Sequence, residues 1–287
     1  MNKNKLYSNG FLIPALIVFG VFFLIPTIIS FYYSMTVWTF DSAKFNGIDN
    51  YIMFLTDPSL SIGIKNTLIY SILTSGFKVI LAFLLAVFLT GKIKTKNIIR
   101  SAVFFPNLVS TIAVGITFTS FMHPTKGLFN NILESIGLSG INWLGAGNIA
   151  LYSVVLVDIW KGLSIATIIY IAGIQAIDRS YYEAAEIDGA SKLQKLKYIT
   201  IPLSVSARNS VIILSFIGGI RSFDLIWSMT GGGPGFATDT LASIIYKQYV
   251  AGYYGLSTAG NVIMLILIVF LALPLQKYLY RKEEAIQ

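Results

Sequence analysis

The chain has 287 residues, of which 55% are hydrophobic and 12% carry a formal charge, and its net charge is +8. About a quarter of the residues of a soluble domain are charged, so this composition, with its long apolar runs, indicates an integral membrane protein. The chain contains no cysteine and a single histidine, His123, which excludes disulfides, thiolate metal sites and multi-histidine metal sites.

Six apolar runs predict an all-α membrane protein with six transmembrane helices in one domain covering residues 1–287. Each run is close to the length of about twenty residues that crosses a bilayer. The first run resembles a signal peptide, but it is too long and no small-residue cleavage site follows it, so we expect it to be retained. The predicted spans cover residues 11–33, 66–90, 101–122, 149–177, 209–229 and 257–276. The segment at 38–65 is predicted as a loop with a short amphipathic piece, the segment at 230–256 as a loop, and residues 277–287 as the tail.

Lysine and arginine are distributed unequally between the two sides that six spans create. Fourteen lie on the side of the two termini, and Lys3, Lys5 and Lys92 are among them; only four lie on the opposite side. The positive-inside rule therefore predicts that both termini, the basic loop at 91–100 and the segment at 178–208 are cytoplasmic. This pattern explains the net charge without a nucleic-acid partner.

The most charged segment, residues 178–202, has the pattern of two short helices joined by a tight turn, and we call it the helical hairpin. Ser180 and Glu183 match a capping box at the start of the first helix. Gly189 suits the left-handed residue that ends this helix, and Ser191 suits the cap of the second.

The hairpin is expected to end near Pro202, because proline cannot occupy a helix interior and a new element should begin there. On spacing alone, an ordinary surface hairpin explains the segment as well as a docking element does.

Five charged residues fall inside the predicted spans: Lys78, Asp158, Lys161, Arg221 and Asp224. A charge at the bilayer centre costs about 2.5–3.5 kcal/mol, so each needs a partner or water. Two pairs have i,i+3 spacing, Asp158 with Lys161 and Arg221 with Asp224, and can neutralise themselves on one helix face. They either line a translocation path or its gate, or they are structural pairs near a span end or subunit interface. Lys78 is expected to be an interfacial residue of a long or tilted helix.

The sequence Glu-Ala-Ala-Glu-Ile-Asp-Gly-Ala at 183–190, followed by Ile-Thr-Ile-Pro at 199–202, closely resembles the coupling loop of permease subunits of ATP-binding cassette importers. Other segments resemble the carbohydrate-importer permeases of the maltose and glycerol-phosphate type. These segments are 47–51, 159–162, 172–177, 230–234 and 238–241. Leu196 departs from the family pattern, which usually has phenylalanine there, but the change keeps an apolar side chain.

The resemblance implies a permease subunit without catalytic residues or bound cofactor, paired with a second homologous permease in a prokaryotic cell membrane. ATP is used by a separate cytoplasmic ATPase dimer, and an extracellular or periplasmic binding protein delivers the solute. The residues implied in ATPase coupling are Glu183, Ala184, Ala185, Asp188, Gly189, Ala190, Leu196 and Pro202. Glu183 is expected to pair with a basic residue of the ATPase. A sugar is the favoured solute, and a polyol, an oligosaccharide or a glycerol-phosphate-like compound remains open.

Two other functions stay open at this point. A secondary transporter driven by an ion gradient also has buried charges, but no inverted repeat is apparent and the hairpin has no role in it. A non-transporting membrane scaffold needs only spans and a docking hairpin. The glycine run at 231–233 is not a nucleotide-binding phosphate loop, because the lysine of that motif is absent.

Overall fold

The computed structural model describes residues 9–39, 41–91 and 93–284, so the predictions that concern Lys3, Lys5, Lys92 and residues 285–287 lie outside the described residues. Most of the described chain is helical, which confirms the predicted all-α class. The exception is a short antiparallel pair, β1 (Thr36–Trp38) with β2 (Ala43–Phe45), in which Val37 lies opposite Lys44.

The first half of the chain begins with a continuous helical stretch in which a π-helical turn, Gly20–Leu24, joins two α-helices. The helices of this half are α1 (Ile13–Phe19), α2 (Ile25–Ser34), α3 (Asp49–Thr56), α4 (Pro58–Thr90), α5 (Lys96–Leu108), α6 (Thr111–Phe121), α7 (Leu128–Ser135) and α8 (Ala150–Gln175).

The second half contains the hairpin and the last apolar helix. Its helices are α9 (Arg179–Ile187), α10 (Lys192–Lys195), α11 (Ile201–Leu203), α12 (Val205–Ile220), α13 (Asp224–Thr230), α14 (Leu241–Val250) and α15 (Tyr254–Glu284). A second π-helical turn, Leu196–Thr200, joins α10 to α11.

Among the described residues, four helical stretches are long and apolar enough to cross a membrane: Gly10–Ser34, α4, α8 and α15. Two further pairs satisfy the same test only when each bent pair is taken as one span. The pair α5 and α6 is bent by 101°, and the pair Lys192–Leu203 and α12 by 64°. The described chain therefore has four to six candidate spans, and the predicted number of six corresponds to counting each bent pair as one span.

The third predicted span, 101–122, is not one helix. It breaks at Val109 and Ser110, whose backbones are extended, with ψ 137° at both residues. Pro106 lacks the amide that would bond to the preceding turn, which weakens the helix just before this break.

The fifth predicted span, 209–229, is also interrupted, at residues 221–223 between α12 and α13. Three segments predicted to lie outside the spans are partly helical. Residues 58–64 begin α4, because proline is favoured in the first helical position. Residues 241–250 form α14, and 277–284 extend α15, where leucine, lysine, arginine and glutamate favour helix.

The chain divides into two compact units. The first comprises residues 1–57 and 245–263. Within it, the buried Asn50 side chain donates to the carbonyls of Ser34 (2.9 Å) and Thr36 (2.8 Å) and so ties α3 to the end of α2 and the start of β1.

The second unit comprises residues 58–244 and 264–287, and its centre is α4 packed along α8 and α12. Two clusters of buried apolar side chains fill it. One surrounds Tyr70, Val154 and Ile226, and the other surrounds Ala86, Tyr170 and Val211. These helices position the charged side chains described below.

Close packing of α12 on α4 depends on Gly219. A Cβ atom there would lie 2.7 Å from Ser71 Cα and 3.1 Å from Thr74 Oγ1, whereas a Cβ at the adjacent Gly218 meets nothing within 4 Å. We expect Gly219→Ala to lower the free energy of unfolding by about 1–3 kcal/mol, as overpacking does. Gly218→Ala should be neutral or stabilise by up to about 1 kcal/mol. Thermal unfolding of both variants in detergent measures the difference, and equal effects would contradict this packing.

Candidate functional site

The first helix of the hairpin is capped by Asp178. Its Oδ1 atom accepts the Ser180 amide at 2.9 Å, and this backbone hydrogen bond lowers the pKa of the Asp178 carboxyl from its ordinary value. The predicted capping box of Ser180 and Glu183 is therefore wrong. Asp178 is as good a cap as serine and lies one position before α9, so Glu183 falls in the second turn, too far along to bond the first amides.

The turn between the two hairpin helices follows the prediction. Gly189 has φ +73°, its amide donates to the Glu186 carbonyl at 3.1 Å, and the Ala190 amide donates to the Ala185 carbonyl at 2.8 Å. This is the pair of bonds of a Schellman cap.

Ser191 caps α10 as predicted. Its side chain accepts the Gln194 amide at 3.3 Å, while the Gln194 side chain accepts the Ser191 amide at 2.7 Å. A complete capping box therefore begins the second helix of the hairpin directly after the turn.

Two contacts join the arms of the hairpin. Lys195 Nζ lies 2.7 Å from Glu186 Oε1, and the Tyr182 hydroxyl lies 3.0 Å from Oγ1 of the buried Thr200. Together with the caps, these contacts define one conformation for the hairpin.

New elements begin close to Pro202, as predicted. The short helix α11 starts at Ile201 with the proline in its first turn, and α12 begins at Val205 after the bend of 64°. The π-helical turn at Leu196–Thr200 precedes the proline, and its wider backbone bonding accommodates a residue without an amide donor.

One face of the first hairpin helix, α9, lines a cavity. Arg179, Tyr182, Glu183 and Glu186 lie at i, i+3, i+4 and i+7 on one face of α9 and line a cavity of about 840 Å³, which we call the hairpin cavity. In the described part of the chain, no hydrogen bond or salt bridge engages the exposed Glu183 carboxylate.

Two further apolar side chains of the hairpin do not line this cavity and are exposed, Ile187 (87% exposed) and Leu193 (72% exposed). Leu196, the apolar position singled out from the sequence, is half-buried and lines the hairpin cavity. Sequence reasoning missed Ile187 and Leu193, although an isolated apolar residue between charged neighbours was a usable signal. Ala184 and Asp188 are exposed, and Ala185 and Ala190 are half-buried.

The four charged residues proposed from the sequence for a translocation path line one cavity of about 260 Å³ inside the second unit. We call it the polar cavity. Asn107, Thr111 and Ser222 add polar lining. The structure thus brings Asp158, Lys161, Arg221 and Asp224 together, although neither predicted pair forms.

Asp158 pairs with Lys78, not with Lys161. Lys78 Nζ lies 2.6 Å from Asp158 Oδ2, and Lys78 is only 8% exposed, so its predicted interfacial position is wrong. The pairing crosses from α4 to α8, which pack together. Gly162 leaves room for it, because a Cβ there would lie 2.3 Å from Lys78 Cε.

Lys161 contacts the backbone at the break between α5 and α6. Its Nζ donates to the carbonyls of Val109 (2.7 Å) and Pro106 (3.2 Å), and Ser164 on the same face of α8 donates to the Val103 carbonyl at 2.7 Å. A helix C-terminus leaves carbonyls without amide partners and carries partial negative charge, so an ammonium group is favourable there.

Arg221 and Asp224 form no salt bridge with each other within the described ranges. Arg221 ends α12 and Asp224 begins α13, so the break between the helices separates them. Each charge lies at the helix end that favours its sign. The nearby Ser222 hydroxyl donates to the Tyr70 hydroxyl at 3.2 Å.

A family model described as binding-protein-dependent transport system inner membrane component matches residues 52–284. The chain is 33% identical over 259 residues to the trehalose/maltose transport system permease protein MalF of Thermococcus litoralis, covering 90% of this chain and 88% of that protein. It is 34% identical over 269 residues to the arabinooligosaccharides transport system permease protein AraP of Bacillus subtilis, covering 92% and 85%.

The fold is similar to a chain in the crystal structure of a bacterial ABC transporter involved in the import of the acidic polysaccharide alginate. The TM-score is 0.84 at 24% identity, with 95% of this chain and 94% of that chain covered. The resemblance stated from the sequence is confirmed, since the family match spans most of the chain. The chain belongs to the family of binding-protein-dependent transport system inner membrane components.

Proposed function

We propose that this permease works in an ATP-driven importer of a sugar or related solute, with ATP hydrolysis on a separate ATPase dimer. The observation that carries the proposal is the hairpin, a doubly capped, internally paired element with two exposed apolar side chains, Ile187 and Leu193. It also carries Glu183, whose carboxylate has no salt bridge to another described residue. The similarity to the transport proteins MalF and AraP supports a carbohydrate solute.

In this proposal the hairpin transmits motion from the ATPase to the spans. Closure of the ATPase dimer on ATP brings together this hairpin and its counterpart on a second permease, and the solute path opens outward. The apolar side chains Ile187 and Leu193 supply the contact area, and the Glu183 carboxylate supplies a charge-assisted bond. Ala184, Ala185, Asp188, Gly189, Ala190, Leu196 and Pro202 shape the hairpin.

The polar cavity is our candidate for part of the translocation path. Asp158 and Lys161 have partners within the chain, whereas Arg221 and Asp224 form no salt bridge with each other and reach the cavity beside Ser222. A guanidinium group and a carboxylate provide the donors and acceptors that the hydroxyl groups of a sugar require. A secondary transporter leaves the hairpin without a role, and a non-transporting scaffold leaves the polar cavity without one.

Co-purification tests the assembly. A tagged chain, isolated in mild detergent from its native host, should bring a nucleotide-binding subunit and a second permease of the same family. An external binding protein should associate when solute is present. Isolation without a nucleotide-binding subunit in every mild detergent tried would contradict the proposal.

The orientation gives a further prediction. We expect the termini and the hairpin to be cytoplasmic, so cysteines at the exposed Lys94 and Lys192 should resist an impermeant thiol reagent applied to intact cells. A cysteine at the exposed Ser139 should react. The predicted topology also places Thr238 outside, but this residue is fully buried and a cysteine there would not be accessible to the reagent. The chain has no native cysteine, so labelling reports the introduced thiol alone, and labelling at Lys192 in intact cells would overturn the orientation.

A further inference from the structure

The hairpin cavity is lined by apolar side chains and by several basic ones. It lies between the ends of α4 and α8 and the inner face of the hairpin, and Val87, Ile174 and Leu196 contribute to its apolar lining. Its volume of about 840 Å³ lies within the usual range of small-molecule sites, about 300–1,000 Å³.

Four basic side chains line this cavity, Lys96, Arg179, Lys192 and Lys195, against two carboxylates, Glu183 and Glu186. Lys195 is neutralised by Glu186 at 2.7 Å.

The other three cations have no such partner. In the described ranges, Lys96, Arg179 and Lys192 form no hydrogen bond or salt bridge, so the single carboxylate of Glu183 faces three unpaired cations. Like charges collected around one cavity repel each other, and a bound anion removes that repulsion.

We propose that the hairpin cavity binds a phosphate group, carried by an anionic lipid headgroup or by a soluble phosphate compound. Lysine and arginine are the residues that bind phosphate oxygens. Basic clusters directly beside a membrane helix attract anionic lipid.

The surroundings of the cavity suit a lipid. Leu84 (55% exposed) and Phe88 (52% exposed) flank Val87 along α4, so an exposed apolar surface runs up to the cavity wall. A headgroup in the cavity would leave its acyl chains beside this surface. The cavity shares Glu183 and Leu196 with the hairpin that the proposed function assigns to the ATPase, so the binding test below changes neither residue and does not read out transport.

Native mass spectrometry of the full chain, purified with its co-purifying subunits, measures the binding. The probes are phosphatidylglycerol, phosphatidylcholine and inorganic phosphate, each titrated separately. The test variant is Lys96→Gln with Lys192→Gln, which removes two cations of the cavity.

The control variant is Lys94→Gln with Lys197→Gln. It removes the same charge from the same two segments, but neither residue lines the cavity, and both are exposed. The control therefore distinguishes binding inside the cavity from attraction to the general positive charge of this surface.

We expect the wild type to prefer phosphatidylglycerol to phosphatidylcholine. The test variant should lose about 30-fold in affinity for it, about fivefold for each cation near the phosphate. The control should change less than threefold. Selective loss of inorganic phosphate binding, without an effect on lipid, would also support the site and assign a soluble source. Equal losses in both variants, or no preference for phosphate-bearing anions over phosphatidylcholine, would overturn the proposal.

Discussion

Glu183→Lys is expected to reduce solute uptake to background while the protein still inserts in the membrane and pairs with the second permease. The Glu183 carboxylate has no partner within the described chain, so its replacement removes an acceptor offered to another subunit. The reversed charge also adds to the three unpaired cations of the hairpin cavity. Uptake in cells and retention of the ATPase on size-exclusion chromatography measure the effect.

The milder substitution Glu183→Gln isolates the charge. Because Asp178 caps α9, glutamine at position 183 removes no cap, and any loss reports the contact with the partner. We expect the ATPase to bind about 5- to 30-fold more weakly, as for a lost hydrogen bond to a charged group. Glu134→Lys, an exposed charge reversal on the opposite side of the predicted topology, is the matched control. Full uptake by Glu183→Lys would remove the hairpin from the coupling mechanism.

Lys78→Met is expected to destabilise the protein strongly, by about 3–5 kcal/mol, because it leaves Asp158 as an uncompensated charge between α4 and α8. The side chains of Lys78 and Asp158 are 10% and 20% exposed, so water screens the pair little. Asp158→Leu should cost a similar amount. Thermal unfolding in detergent measures both.

The double variant decides whether the two residues act as a pair. Lys78→Met combined with Asp158→Leu should recover more than half of the lost stability, since an apolar pair of similar volume leaves no buried charge. A second double-mutant cycle, with Lys161→Met and Asp158→Leu, should show weak coupling between the two residues, because Lys161 binds the carbonyls of Pro106 and Val109. Stronger coupling of Asp158 to Lys161 than to Lys78 would contradict the observed pairing.

Local patterns in the sequence predicted the hairpin well where a single residue determines the backbone. Gly189 has the left-handed conformation and Ser191 caps its helix, because both depend on neighbours within a few positions. The cap of α9 was assigned to Ser180, whereas the structure places it at Asp178, two residues earlier. Spacing cannot rank them when both residue types are good caps.

The pairing of the charged residues could not be predicted from local spacing. An i,i+3 spacing indicates that two side chains on one helix can meet, and both predicted pairs had it. Asp158 instead meets Lys78 at 2.6 Å, a contact across eighty residues that depends on how α4 packs against α8. The break at 109–110 was not predictable from apolar length, since apolar residues continue on both sides of it. The break at 221–223 coincides with Arg221 and Ser222, a polar signal that the length of the apolar run did not reveal.

Transport by the reconstituted complex tests the central claim most directly. The chain, its second permease and the ATPase should be assembled in proteoliposomes with the binding protein and a radiolabelled sugar. We predict that sugar accumulates only when ATP and the binding protein are both present, that ion gradients alone drive no uptake, and that Glu183→Lys abolishes it. Uptake driven by an ion gradient without ATP would contradict the account.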